Sequence, residues 1–313
     1  MDIDINGKYS KTRCFIDCDG TITNSLKYYN IVLDEIFMGV LTDQHYETYY
    51  KDFGDAYELI PGCPWKKILS YLVDYLGKRR NGTVKDVLTR GEYMSCLARV
   101  AFGKTAHGAM STDGNTIRVD FANFTESEAL DILVKQFETE FAHLLTRIDL
   151  NDLAIEPVIN FCREYKAGGG TLIIHSGSNK FLVDSMLSAL GISDLFTDRL
   201  CTPMLEQEKP LTDSPWGYKT DLLNTLLEKY PVNGTKDFVL GDTKGDAFGA
   251  FELGLPFVLC WRGYPKDPEC LSGDGVVMHP DLYCDFRPER VDAGIDCGAD
   301  VKALLEFAEE LSV

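Results

Sequence analysis

Short, unbroken apolar runs recur along this chain with amphipathic helix patterns between them, and that alternation constrains the fold more than any other feature. The runs are residues 13–18 (RCFIDC), 171–175 (TLIIH), a weaker one near 195–201, 237–241 (DFVLG) and 256–260 (PFVLC), with a further piece at 276–279. Each is closed by turn or polar residues, as strands are. Between them, residues 157–166 put Val158, Cys162 and Tyr165 on one helical face before three glycines. Residues 180–190 repeat Val183, Met186, Leu187 and Leu190, and residues 219–229 carry Leu222, Leu223, Leu226 and Leu227 ahead of Pro231. A closing helix near 299–311 has the stripe Val301, Leu304, Leu305 and Ala308. Strands apolar on both sides, alternating with helices, predict an α/β fold whose parallel sheet is covered on both faces.

Residues 22–155 break this rhythm. Trp65, Ile68, Leu69, Leu72, Val73 and Leu76 form one helical stripe, and a longer one runs from Leu130 to Ile148 through Phe137, Phe141 and Leu145. The longer stripe opens on Thr125-Glu126-Ser127-Glu128, a capping-box pattern. Between the stripes, the Gly-, Ser- and Thr-rich segment 101–120 contains Asp113-Gly114, a pair suited to a small hairpin or a mobile loop. The stretch reads as a helical insert hung on the first strand.

Composition narrows the function classes. A formal net charge of −18 repels nucleic acid and anionic membranes at long range, so neither is expected as the main partner. No apolar stretch approaches the roughly 18 residues of a membrane span, and the first residues lack the layout of a secretory signal. The 10 cysteines include no CxxC pair, and Cys14, Cys162 and Cys260 lie in apolar runs. They read as buried thiols of a reducing cytoplasm rather than a disulfide frame or a zinc site; a Cys14/Cys18 redox switch has only its spacing in favour.

The chemistry gathers where apolar runs end. Asp17 and Asp19 follow the first, Ser176 and Gly177 follow LIIH, and Asp242 and Asp246 lie in GDTKGD after DFVL; Lys219 stands at the start of its helix. In a parallel sheet the carboxyl ends of the strands share one edge, where ligands collect. Four carboxylates, a hydroxyl and an ammonium would converge there. A phosphate ester would add about two further negative charges, and crowded carboxylates raise one another's pKa. A divalent cation resolves the excess, and an all-oxygen donor set favours Mg2+ over zinc. The loop amides after Asp17, Gly20 among them, and after Ser176 can point at phosphate oxygens. Each signal alone has a bland reading, as a solvated turn, a polar helix cap or a surface lysine. Their joint order along one sheet edge does not.

CFIDCDGTIT, LIIHSGS, the lysine of GYKTD and VLGDTKGD resemble the four motifs of the haloacid dehalogenase superfamily, specifically its aspartate-dependent phosphatases, over residues 11–25 and 155–265. The resemblance implies a Rossmann-like three-layer sandwich formed by residues 1–22 and 156–313. It also implies a mainly α-helical cap, similar to the superfamily's first cap class, over residues 23–155. It further implies that Asp17 is the nucleophile and Asp19 the general acid and base. Gly20, Ser176, Gly177 and Lys219 would bind the phosphoryl group, and Asp17, the Asp19 carbonyl, Asp242 and Asp246 would hold Mg2+. Asp19 argues against dehalogenation, because dehalogenases of this superfamily lack that second acid. The expected partner is a small phosphorylated metabolite, since a cap sequesters the site; oligomeric state is not legible.

Two alternatives accompany this reading. One is a phosphotransferase or mutase with the same aspartyl-phosphate chemistry, and the other a binding protein that keeps the fold without turnover. His175 reads as a packing residue inside its strand, Trp65 and Trp261 as core or rim anchors, and His45, His107, His143 and His279 form no ligand spacing.

Overall fold

The computed structural model describes residues 7–25, 27–29, 31–32, 110–112, 115–117, 126–201, 217–231, 236–261, 283–285 and 297–312. The chain divides into two compact units, Met1–Leu26 with Arg147–Val313, and Lys27–Thr146.

In chain order the elements are β1 (Thr12–Ile16), the hairpin strands β2 (Met110–Thr112) and β3 (Asn115–Ile117), and α1 (Glu126–Leu145). Then come α2 (Leu150–Leu153), α3 (Glu156–Ala167), β4 (Thr171–Ser176), α4 (Lys180–Ala189), β5 (Asp198–Cys201) and α5 (Gly217–Lys229). The last are β6 (Lys236–Gly241), α6 (Lys244–Glu252), β7 (Phe257–Trp261), β8 (Tyr283–Asp285) and α7 (Gly298–Ser312).

The larger unit holds a six-stranded sheet in the order β5-β4-β1-β6-β7-β8, with every pairing parallel. Strand alternation sorts its side chains into two cores. Phe15, Ile173, Val239, Phe257 and Leu259 face one side and pack with Leu223 and Leu226 of α5 and Ala247 and Ala250 of α6. On the other, Phe238 meets Tyr165 of α3 and Phe307 of α7 edge-on. These are the three layers expected of the α/β reading, and the fold is Rossmann-like. A bidentate Arg13–Asp237 pair, 2.6 Å at both contacts, ties β1 to β6 beneath the first core.

The strand and helix expectations are met with end shifts of one to three residues. β1 stops at Ile16 because Asp17 and Cys18 turn into the loop, where the Ile22 and Thr23 amides donate to the Cys18 carbonyl. The edge strand β8 is an addition to the expected set. It is three residues long, with little apolar signal of its own. The piece at 276–279 and the stripe through Trp65 lie outside the described residues. In the smaller unit, α1 matches the longer stripe, and Tyr29 packs on Phe137 and Phe141. β2 and β3 pair antiparallel with Thr112 opposite Asn115, and Asp113-Gly114 itself lies outside the described residues. The seven described cysteines are buried free thiols, and Trp261 packs at the border of the first core. No described helix is long and apolar enough to cross a membrane.

Candidate active site

The carboxyl ends of β1, β4 and β6 lie side by side in register, with Ile16 beside Ile174 and Leu240. One residue further on, Asp17, His175 and Gly241 form a row on the face that carries α5 and α6. The Asp17 amide continues the ladder by donating to the Leu240 carbonyl at 2.9 Å. Gly241 leaves a space in this row that Asp246 fills: a Cβ on Gly241 would lie 2.5 Å from the Asp246 Cγ. Asp246 comes from the first turn of α6, where it forms a capping box with Thr243. Its Oδ2 accepts from the Thr243 amide at 3.1 Å and from the Thr243 hydroxyl at 2.5 Å.

Lys219, near the start of α5, closes the arrangement. Its Nζ is 2.8 Å from Asp17 Oδ1 and 2.7 Å from Asp246 Oδ1, and all three side chains are buried. Burial alone would lower the lysine pKa, but the two carboxylates outweigh it and hold the ammonium charged. Burial likewise opposes ionisation of Asp246, and Lys219 reverses that, holding its carboxyl below the usual range.

Asp17 and Asp242 behave in the opposite way. Burial pushes the Asp17 carboxyl well up, and the charges of Asp246, Asp242 and Asp19 add to this against the pull of Lys219. Asp242 is raised to about 8, first by burial and then by Asp246. One ammonium cannot neutralise this set, so the edge retains a proton or takes a cation. Hard carboxylate oxygens with surplus negative charge fit a magnesium-sized ion. Asp242 stands against the β1 loop. A Cβ on Gly20, whose φ is +82°, would lie 2.0 Å from Asp242 Oδ2, so only glycine permits this approach. The Thr21 hydroxyl reaches Asp242 Oδ1 at 3.4 Å. A second grouping, Asp17, His175 and Asp246, also has its donor atoms within 4.8 Å of one another. There, however, the Lys219 ammonium already sits between the two carboxylates.

Asp19 turns toward the β4 loop. Its Oδ1 accepts from the Ser25 hydroxyl, and its Oδ2 accepts from Ser178 at 2.5 Å and Ser176 at 3.2 Å. Ser176 Oγ in turn accepts the Ser178 amide at 3.1 Å, and Asn179 caps α4 through the Leu182 amide. Gly177 lies between these two serines.

The structure therefore brings Asp17, Asp19, Gly20, Ser176, Gly177, Lys219, Asp242 and Asp246 to one sheet edge. Ser25, Ser178 and Thr243 join them without having been singled out from sequence. Thr243-x-x-Asp246 is a capping-box spacing and was readable. Ser25 is not, because only the turn through Ile22 and Thr23 returns it to Asp19. His175, read as packing, is fully buried in β4 and borders this charge cluster.

No family model and no curated protein sequence matches the chain. Among solved structures, it is similar to a predicted phosphoglycolate phosphatase from Haemophilus somnus, with a TM-score of 0.50 at 17% identity over 91% of this chain and 98% of that one. It is also similar to a predicted phosphatase from Clostridium acetobutylicum, with a TM-score of 0.50 at 12% identity over 95% of this chain and 99% of that one. At such identities the likeness is one of fold.

Proposed function

We propose that this chain is an aspartate-nucleophile phosphatase of the haloacid dehalogenase superfamily, hydrolysing a small phosphorylated metabolite with Mg2+. The observation that carries the reading is the buried Lys219 ammonium held between Asp17 and Asp246, with Asp242 pressed against Gly20 beside them. A structural core has no use for three acids and one base at the end of a sheet, whereas phosphoryl transfer needs such preorganised charge. The fold shared with two structures described as predicted phosphatases agrees with it.

In this reading a carboxylate oxygen of Asp17 attacks phosphorus while the bond to the ester oxygen breaks. Asp19 passes its proton to the departing alcohol. Asp19 then takes a proton from water as the water oxygen bonds phosphorus and the Asp17–phosphorus bond breaks, releasing phosphate and restoring both acids. Lys219 offsets charge on Asp17 and on the transferring group. Ser176 and the Gly177 amide bind phosphoryl oxygens. The Gly20 amide, expected from the sequence to do the same, instead donates to the Thr23 carbonyl at 2.7 Å, and Gly20 serves the site by admitting Asp242. Asp17, Asp242 and the Asp19 carbonyl would hold the ion, with Asp246 completing the acidic set. When bound, Mg2+ supplies charge neutralisation that keeps Asp17 ionised. The intact constellation argues against a binding protein without turnover.

If a sugar hydroxyl rather than water accepts the phosphoryl group, the same residues perform a phosphotransfer. The test is release of inorganic phosphate from a panel of phosphorylated sugars, short acids and nucleotides with and without Mg2+. Phosphate release supports hydrolysis, and a transferred phosphoryl group supports the alternative. Neither product with any substrate would count against both.

A further inference from the structure

His175 is an expensive residue for its position. It occupies the penultimate position of β4, on the face where Ile173 below it joins the apolar core, and it is fully buried. Neither ring nitrogen has a hydrogen-bond partner among the described residues. Burying an unpartnered polar group costs about 1–3 kcal/mol, and an aliphatic side chain would fill the place without that cost. Burial and the Lys219 charge push its pKa down. The groups facing it are Lys219, Asp246 and the Phe15 carbonyl. Its Nδ1 lies 3.8 Å from Asp246 Oδ1, the oxygen that receives Lys219 at 2.7 Å.

Resting on the phosphatase reading above, we propose that His175 is a positioning residue whose Nδ1–H faces Asp246 and keeps that carboxylate turned onto Lys219, and so Lys219 aligned on Asp17. The ring touches neither substrate nor ion. Thr243 holds Asp246 Oδ2 and Lys219 meets Oδ1, and the His175 ring is the further polar group beside this carboxylate.

Three substitutions separate this role from packing. Asparagine places its amide nitrogen near Nδ1, glutamine places its own near Nε2, and leucine restores apolar volume. His175→Asn is expected to keep kcat within about threefold, while His175→Leu and His175→Gln lose about 10-fold with KM unchanged, the scale of coupling between side chains in contact. Pure packing predicts the reverse order, with leucine the best tolerated in an apolar wall. Leucine equal to or better than asparagine would overturn the proposal.

Nitrogen-15 NMR of the wild-type imidazole, assigned by the signal lost in His175→Asn, gives a second measurement that needs no activity. A proton on Nδ1 is expected, and a proton on Nε2 instead would overturn the proposal. A wild-type protein that hydrolyses no phosphate ester would overturn the phosphatase reading, leaving the tautomer to decide the role of His175.

Discussion

Raising the pH should weaken the metal-free protein, and Mg2+ should remove that weakness. The group responsible is Asp242, whose carboxyl is raised to about 8 by burial and by Asp246, with Asp17 displaced in the same direction. An unfolded aspartate titrates near pH ~3.9. Below that both states hold the proton; from there to about 8 the folded state keeps a proton that the unfolded chain has lost. Stability therefore falls as pH rises through this window, and levels off above it. The full displacement is about four units, at most about 5 kcal/mol, and solvent on the exposed part of Asp242 reduces it.

His175 runs the other way: held neutral with a pKa of about 3, it favours the fold as pH rises toward its unfolded value near 6.5. The cleaner window is thus about pH 6.5 to about 8, where Asp242 contributes up to about 2 kcal/mol and Asp17 acts in the same direction. The depressed Asp246 gives its full support above about pH 4, and that support is lost only below it, as acid protonates the carboxyl. Urea unfolding followed by circular dichroism, in EDTA and in millimolar Mg2+, measures this. The gain from Mg2+ should be larger at about pH 8 than at about pH 6.5. An equal gain at both, or a metal-free protein that strengthens with pH across this window, would refute the charge inventory of the site.

Further predictions concern single residues. Asp17→Asn should abolish turnover of p-nitrophenyl phosphate while the protein still folds, checked by a steady-state assay beside a melting curve. Lys219→Met should lower kcat by about 10²–10³-fold, the scale of one preorganised electrostatic contact in a dry site. It should also raise the pKa of Asp246, so that less stability is lost through this carboxyl on acidification, seen as a shallower fall of the unfolding free energy below about pH 4. Gly20→Ala puts a methyl on a left-handed backbone 2.0 Å from Asp242 Oδ2, so about 1–3 kcal/mol of stability should be lost. The Mg2+ concentration for half-activation should rise at least about 10-fold with it, as for a perturbed ligand environment.

Much of the fold was legible because the physics that builds it is local. An apolar run such as TLIIH has only one economical place, inside a sheet covered on both faces, and the helix stripes state which side of each helix goes inward. β8 escaped because a three-residue edge strand buries little and so leaves little pattern. At the site, Asp17, Asp19, Ser176, Lys219, Asp242 and Asp246 stood out as polar groups at the mouths or first turns of buried elements. The contacts that tune them did not. Ser25 and Ser178 reach Asp19 only through the folded loop, and Asp246 meets Lys219 only because Gly241 leaves space for it. His175 looked like packing because nothing in its neighbours along the chain reports Asp246, which is 71 positions away.

The most direct test of the central claim is acid-quench trapping: a single turnover with a hydrolysed phosphate ester and Mg2+, stopped in acid, followed by peptide mass spectrometry. A phosphoryl group on the carboxyl of Asp17, absent in Asp17→Asn, is the expected result. Phosphate released with no covalent species at any time point, or with the phosphoryl group on another residue, would contradict it.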